Sequence, residues 1–317
     1  MTHLYARATL RGMAWTNTQY LVETDWLASH LGDPSLRVLE CTTILHARPE
    51  GGYRAESGRA TWAAGHIPRS GFADLTDDLS DCSSSLLYMM PPAEQMAAAM
   101  ARLGVGEGTR VVLYDRAVNM WAARVWWMLR AVGFDDAAVL NGGWRKWTLE
   151  RPAVSTEPCQ YPPARFVTRP RPDLFVDKRA VLAGLGQRAT CIVNALAEEQ
   201  HRGTGGVSYG RPGHIARSTN VAARSLVDPT THAYLPPEVL REKFAAAGVL
   251  DAQRVITYCG GGIAASSDAF VLTLLGHETG RGLRRLALGV GRRSVAADGD
   301  GLAPPAGRHA PAPRYAR

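Results

Sequence analysis

The sequence predicts an α/β fold made of two tandem domains, each a mostly parallel sheet flanked by helices. The length of 317 residues is large for one core and fits two domains of about 100 to 200 residues each. Short apolar runs typical of buried strands alternate with longer helical patterns, which favours parallel sheets. The chain also repeats itself: residues 110–115 (RVVLYD) match residues 254–259 (RVITYC), and residues 65–68 (GHIP) match residues 213–216 (GHIA). Such a repeat indicates duplicated domains.

Both halves contain the same kinds of element. The first half predicts strands at residues 36–41 and 111–114, and helices at residues 93–103 and 120–132. The second half predicts the matching strands at residues 191–194 and 255–258, and helices at residues 237–247 and 262–275. In each half the last of these helices stops at a glycine, Gly133 or Gly276, the residue type that commonly follows a helix.

The domain boundaries follow from the repeat and from a proline-rich segment between its copies. Residues 151–172 hold six prolines and little apolar periodicity, which predicts a linker of limited flexibility. We therefore expect a first domain over residues 19–150 and a second over residues 173–280.

The C-terminal segment departs from the repeat. The counterpart of residues 137–147 is due near residues 280–291, but from Arg281 onward the chain is rich in Arg, Ala, Gly and Pro. We expect residues 281–317 to form an atypical, arginine-rich tail without a strand, whose composition favours disorder. Two explanations stay open: the last strand is replaced by another structure, or the reading frame of the gene shifts near Thr279.

Composition excludes several functional classes. No apolar run approaches the roughly 18 residues of a membrane span, and the first 18 residues lack the pattern of a secretory signal. The five cysteines are odd in number and widely spaced, which argues against a disulfide framework and indicates a reducing cytoplasm. The net charge of +7 is concentrated from His277 onward, where eight arginines oppose three acidic residues, so no nucleic-acid partner is expected.

The segment most indicative of function surrounds Cys259. An apolar strand ends in three glycines, after which a helical pattern begins. Such a loop turns successive backbone N–H groups inward and adds the positive end of a helix, so it favours an anion. A cysteine held there is activated as a nucleophilic thiolate, which makes Cys259 the candidate catalytic residue. The residues expected to bind substrate through this loop are Gly260, Gly261, Gly262, Ile263 and Ala264.

These features resemble the rhodanese family, specifically its tandem two-domain sulfurtransferases, over residues 21–277. Besides the GHIP segment, the similar motifs are LVETDWL at residues 21–27, RVWWM at residues 124–128 and VLNGGW at residues 139–144. The resemblance implies that Cys259 carries transferred sulfur as a persulfide. It also implies that the first domain is non-catalytic, because Asp115 stands at the position that matches Cys259. We expect Asp115 to cap or solvate its own loop.

The resemblance further implies a small anionic sulfur donor, thiosulfate or 3-mercaptopyruvate, and a thiol, thioredoxin or cyanide acceptor. The neutral loop after Cys259 is closer to the mercaptopyruvate type, although Gly261 replaces the hydroxyl residue found there. Family members grip the donor with arginines after the first strand of the second domain. Gln200 stands where one of them is expected, and Arg202 and Arg211 are the remaining candidates.

Two other functions compete with sulfur transfer. A phosphatase or arsenate reductase of related fold needs a longer loop that ends in arginine, and here the sixth residue after Cys259 is Ala265. A non-enzymatic sulfur-relay or regulatory binding module stays the main alternative to an enzyme. No metal-ligand spacing and no phosphate-binding glycine motif occurs in the sequence, so neither a metal nor a cofactor is expected.

Overall fold

The computed structural model describes residues 14–150, 153–209, 211–277 and 285–289, with the last segment described by its backbone alone. Within these ranges the chain forms two parallel sheets with helices packed on them. The predicted α/β class is confirmed.

The first half of the chain carries one parallel sheet and one hairpin. Its strands are β1 (Leu21–Val22), β2 (Leu36–Glu40), β3 (Thr43–Ala47), β4 (Tyr53–Ser57), β5 (Ser70–Phe72), β6 (Arg110–Tyr114) and β7 (Ala137–Leu140). Its α-helices are α1 (Thr24–His30), α2 (Arg59–Ala64), α3 (Ala93–Arg102), α4 (Met120–Ala131) and α5 (Gly143–Glu150). The parallel sheet has the order β1-β7-β6-β2-β5, while β3 and β4 pair with each other in antiparallel fashion.

The second half repeats this topology. Its strands are β8 (Phe175–Val176), β9 (Thr190–Asn194), β10 (Thr219–Asn220), β11 (Arg254–Tyr258) and β12 (Arg285–Gly289). Its described α-helices are α6 (Lys178–Gly184), α7 (Glu198–Arg202), α8 (Pro237–Ala246) and α9 (Ile263–Leu274). The sheet order β8-β12-β11-β9-β10 matches the first sheet strand for strand, and all its pairings are parallel. None of the helices described has the combined length and apolarity needed to cross a membrane.

The helices that follow the two central strands, α4 and α9, pack against each other between the halves. Trp126 of α4 and Phe270 of α9 are fully buried and meet edge to face, with ring centroids 4.8 Å apart. Such a pair is worth about 0.5 to 1.5 kcal/mol beyond the area that it buries. The two loops that precede these helices are thereby held at a common interface.

A tyrosine at the end of each central strand fixes the start of the following loop. The Tyr114 hydroxyl accepts the Ile67 N–H at 3.2 Å in the first half. In the second half the Tyr258 hydroxyl accepts the Ile215 N–H at 2.9 Å and lies 2.8 Å from the Ser218 hydroxyl. The repeated GHI segments therefore anchor the strand ends, and the residue after Tyr258 is Cys259.

The proline-rich segment lies along the first half. Residues 153–171 contain no α-helix, and their one β-bridge joins Ser155 to His66. The Arg169 N–H donates to the Val132 carbonyl at 2.6 Å, so the segment is fastened by backbone hydrogen bonds. Such bonds favour the limited flexibility that the prolines predict.

The expectation of a tail without a strand is wrong for residues 285–289. These residues form β12, which pairs in parallel with β11 on one side and with β8 on the other. Arginine content is a poor guide here, because pairing in a sheet uses backbone groups and the run from Leu286 to Leu288 is apolar. The strand also extends the second sheet beyond the predicted boundary at residue 280. Residues 278–284 and 290–317 lie outside the described residues.

The position of β12 leads to a prediction about truncation. A chain that ends at His277 lacks the strand between β11 and β8, so both would be left with unpaired backbone groups. We expect its second half to unfold at a clearly lower temperature than that of a chain ending at Gly289, which keeps the strand. Calorimetry with hydrogen exchange on the amides of β11 measures this, and equal melting of the two chains would contradict the role of β12.

Candidate active site

Cys259 lies between β11 and α9, at the carboxyl end of the central strand of the second sheet. In open α/β sheets this edge is where ligands bind. The cysteine is buried, with 8% of its surface exposed, and its Sγ accepts the Gly262 N–H at 3.1 Å. Backbone curvature therefore directs at least one N–H group at the sulfur.

Gly262 makes this geometry possible because it has a φ of +81°, in the left-handed region that side chains disfavour. It stands directly before α9, whose first residues are Ile263, Ala264 and Ala265. The N–H groups of a first helical turn have no acceptor within the helix and carry the positive end of its dipole. The loop thus presents uncommitted donors to whatever occupies the space beside Cys259.

The matching loop of the first half shows which kind of group accepts hydrogen bonds from such donors. The Asp115 carboxylate is fully buried and accepts four backbone N–H groups, from Ala117 at 2.8 Å, Asn119 at 3.1 Å, Trp121 at 2.8 Å and Ala122 at 3.0 Å. Burial raises the pKa of Asp115, and these four hydrogen bonds act against that rise. As expected from the sequence, Asp115 caps its own loop.

The two loops correspond in detail. Asn119 directly precedes α4 as Gly262 directly precedes α9, and both residues have left-handed backbone conformations. Each donates its N–H over 3.1 Å to the side chain that follows the central strand, Asp115 in one half and Cys259 in the other. The oxygen Oδ1 of Asp115 and the sulfur of Cys259 therefore take equivalent donors.

The second oxygen of Asp115 marks a further position. Its Oδ2 accepts the N–H groups of the second and third residues of α4, Trp121 and Ala122. The second and third residues of α9 are Ala264 and Ala265. An anionic atom bonded to the Cys259 sulfur would meet this pair of donors. Ala264 was expected from the sequence to bind substrate and Ala265 was not, and the roles of both stay predictions.

Aromatic side chains cover the loop. A Cβ atom on Gly260 would lie 2.3 Å from the nearest atoms of the Tyr209 ring, so that ring rests directly on the backbone of Gly260. Tyr209 in turn lies 5.8 Å from Tyr53 of the β3–β4 hairpin, measured between ring centroids. Tyr88 approaches Gly261 from the first half. The loop is thus enclosed by residues from both halves, which sequence motifs did not indicate.

The first half also contributes a cation to the Cys259 loop. Arg124 of α4 is fully buried, and its Nη1 would lie 3.1 Å from a Cβ atom on Gly262. Burial lowers the pKa of Arg124 to about 10, and the nearby Cys259 acts in the opposite direction. In the sequence this residue stood out only as part of the RVWWM family motif.

The predicted donor-binding arginines are both exposed. The side chain of Arg202 pairs with Glu198 on the same helix and is 66% exposed, and Arg211 is exposed as well. Gln200 stabilises the loop that follows α7, because its Nε2 donates to the Val207 carbonyl at 2.9 Å. No contact between Arg202 and Cys259 is present among the described residues, so the roles of Arg202 and Arg211 stay predictions.

The five cysteines of the chain are all free. In the ranges that the structure describes, no cluster of three or more His, Cys, Asp or Glu side chains has an arrangement that could hold a metal ion.

Comparisons with known proteins agree on one family. Residues 23–150 match the family described as Rhodanese-like domain. The chain is 30% identical to a probable 3-mercaptopyruvate sulfurtransferase of Pseudomonas aeruginosa, covering 82% of this chain and 91% of that protein. It is also 30% identical to the thiosulfate sulfurtransferase of Rattus norvegicus, covering 81% and 86% respectively. The structure of SseA from Escherichia coli, a 3-mercaptopyruvate sulfotransferase of rhodanese fold, superimposes with a TM-score of 0.71 at 26% identity, covering 87% of this chain and 98% of SseA.

The contact between Tyr209 and Gly260 leads to a double-mutant prediction. We expect Gly260→Ala to lower the free energy of unfolding by about 1 to 3 kcal/mol, because the new methyl group overlaps the ring. In a Tyr209→Ala background the same change should cost much less. Gly32→Ala is the control, since nothing lies within 4 Å of its added atom. Chemical denaturation measures these values, and an equal cost of Gly260→Ala in both backgrounds would show that the ring does not cover the loop.

Proposed function

Because the chain belongs to the rhodanese family of sulfurtransferases, we propose that Cys259 takes a sulfur atom from an anionic donor and passes it on as a persulfide. The donor is 3-mercaptopyruvate or thiosulfate, and the acceptor is a small thiol, thioredoxin or cyanide. The free cysteines favour a reducing compartment, and we propose the cytoplasm.

One observation carries this proposal: Cys259 stands where Asp115 stands in the first half, and its Sγ takes the backbone donor that matches one of the four held by the Asp115 carboxylate. The Asp115 oxygens use four N–H groups. A persulfide places an inner and an outer sulfur at comparable positions, with its negative charge on the outer one. Hydrogen bonds from backbone N–H groups to an ionised acceptor are about twice as strong as those between neutral groups.

In the first half-reaction the Cys259 thiolate attacks the transferable sulfur of the donor, which is the outer sulfur of thiosulfate or the thiol sulfur of 3-mercaptopyruvate. The thiolate electron pair forms the new S–S bond as the S–S or C–S bond of the donor breaks, and the electron pair of the broken bond leaves with sulfite or with the enolate of pyruvate, which takes up the proton released from the thiol. The transferred sulfur becomes the negatively charged outer sulfur of the persulfide. The N–H groups of Ala264 and Ala265 are the donors available to it.

In the second half-reaction the acceptor attacks the outer sulfur, and the electron pair of the S–S bond returns to Cys259 as a thiolate. A thiolate acceptor leaves as its persulfide, and cyanide leaves as thiocyanate. The N–H group of Gly262, which donates to Sγ at 3.1 Å, stabilises the leaving thiolate. The positively polarised start of α9 favours the same charge in both steps.

We predict that Cys259→Ser abolishes sulfur transfer and leaves the fold intact, because a hydroxyl is a far weaker resting nucleophile than a thiolate. After incubation with donor, mass spectrometry should show a gain of one sulfur atom that cyanide removes, in the wild type and in Cys82→Ser but not in Cys259→Ser. Cys82 is a suitable control because it is free and exposed. A cyanide-labile sulfur retained by folded Cys259→Ser would overturn the proposal.

We further predict that kcat/KM is higher for 3-mercaptopyruvate than for thiosulfate. Thiosulfate is a dianion, and the loop from Cys259 to Ser266 contains no basic side chain to receive its second charge. Steady-state kinetics with a common thiol acceptor measures the ratio. A Gly261→Lys variant should move the ratio toward thiosulfate, whereas a higher value for thiosulfate in the wild type would contradict this prediction.

A further inference from the structure

We propose that Arg124, contributed by the first half of the chain, is the counter-charge that keeps Cys259 and its persulfide anionic. This inference rests on the proposed function, because it concerns the same sulfur. It assigns a task to the first half, in which Asp115 stands at the position of Cys259: the second half supplies the cysteine and the backbone donors, and the first half supplies the cation.

The guanidinium of Arg124 is buried but makes hydrogen bonds with only part of its donors. Its Nη2 donates to the Tyr88 carbonyl at 2.7 Å, and its carbon lies 4.9 Å from the centre of the Phe175 ring. Its Nε and Nη1 have no hydrogen-bond partner among the described residues. A buried charge with unpaired donors destabilises the folded state, and an anion nearby would offset this cost.

The unpartnered nitrogen faces the Cys259 loop. Nη1 would lie 3.1 Å from a Cβ atom on Gly262, the residue whose N–H donates to the Cys259 sulfur. Two sources of positive potential, the guanidinium and the start of α9, therefore meet at one point. The guanidinium and the start of α9 repel each other, and an anion beside them would offset this repulsion. Cys259 is the ionisable group whose charge acts on Arg124.

The other ionisable side chains near the loop are not suited to be that anion at neutral pH. Burial raises the pKa of the Asp268 carboxyl on α9 well above its usual value, which favours its neutral form. Tyr88 and Tyr209 pack on the loop, and tyrosines are uncharged near pH 7. Tyr258 precedes Cys259, but its hydroxyl is engaged with Ser218 and burial raises its pKa further. Arg124 itself, with a pKa lowered to about 10 by burial, keeps its charge at pH 7.

The fold does not require a cation at this position. Arg124 is the fifth residue of α4, and the fifth residue of α9 is Ser267, which is equally buried. The two helices are otherwise alike in length and in their packing between the halves. A neutral side chain therefore fits the same place in the duplicated architecture, and the charge is specific to the side that faces Cys259.

The first test measures the rate at which a neutral reagent, iodoacetamide, alkylates Cys259 as a function of pH. It uses the full chain with the other four cysteines replaced by serine. In Arg124→Met the midpoint of the profile should move to higher pH, so that alkylation at pH 7 slows by about tenfold or more. Arg124→Lys should stay near the wild-type profile. Arg130→Gln is the matched control, because it removes another largely buried guanidinium of α4, one that is paired with Asp135.

The second test leaves Arg124 in place and is therefore informative even where Arg124→Met fails to fold. Cys259→Asp introduces the carboxylate that the matching loop already holds, and Cys259→Asn is its neutral partner. We expect Cys259→Asp to melt several degrees above Cys259→Asn at pH 7, and the difference to shrink below pH 4. An unchanged alkylation profile in folded Arg124→Met, or Cys259→Asp melting no higher than Cys259→Asn, would overturn the inference. Neither readout needs turnover, so a failure of the proposed function with the tested donors would remain distinguishable.

Discussion

Buried backbone N–H groups at the junction of a parallel strand and a helix must be paired, and this constraint governs the whole molecule. Four such groups converge on Asp115 in the first half of the chain. In the second half the same curvature of the backbone leaves donors around Cys259, of which Gly262 already bonds the sulfur. The geometry of the backbone favours an anion at both places, and the Asp115 carboxylate supplies it in the first half.

The two copies of the loop differ in the side chain that follows the central strand, Asp115 in the first half and Cys259 in the second. The loop that is closed by Asp115 is a stable structural element, since its cap is part of the chain and cannot leave. The loop of Cys259 holds a thiol in place of the carboxylate, and it is enclosed by Tyr88, Tyr209 and Arg124. Two of these residues come from the first half, so the candidate site lies where the halves meet. Packing of α4 against α9 is what brings them together.

Much of the fold could be predicted from the sequence, because strands, helices and the repeat depend on local pattern. The Cys259 loop was also evident, since three glycines between a strand and a helix have few other uses. Arg124 and Tyr209 could not be assigned, because spacing along the chain does not show which side chains cross an interface. The strand β12 was missed for another reason: composition describes side chains, whereas a place in the middle of a sheet is filled by backbone hydrogen bonds.

We propose that Cys259 carries an anionic persulfide in a cradle equivalent to the one that Asp115 fills in the other half. A crystal structure of the protein after incubation with 3-mercaptopyruvate and removal of excess donor tests this proposal. We predict one added sulfur on Cys259, within hydrogen-bond distance of the N–H groups of Ala264 and Ala265. An added sulfur that points away from these groups, or one that is found on another cysteine while Cys259 stays unmodified, would contradict it.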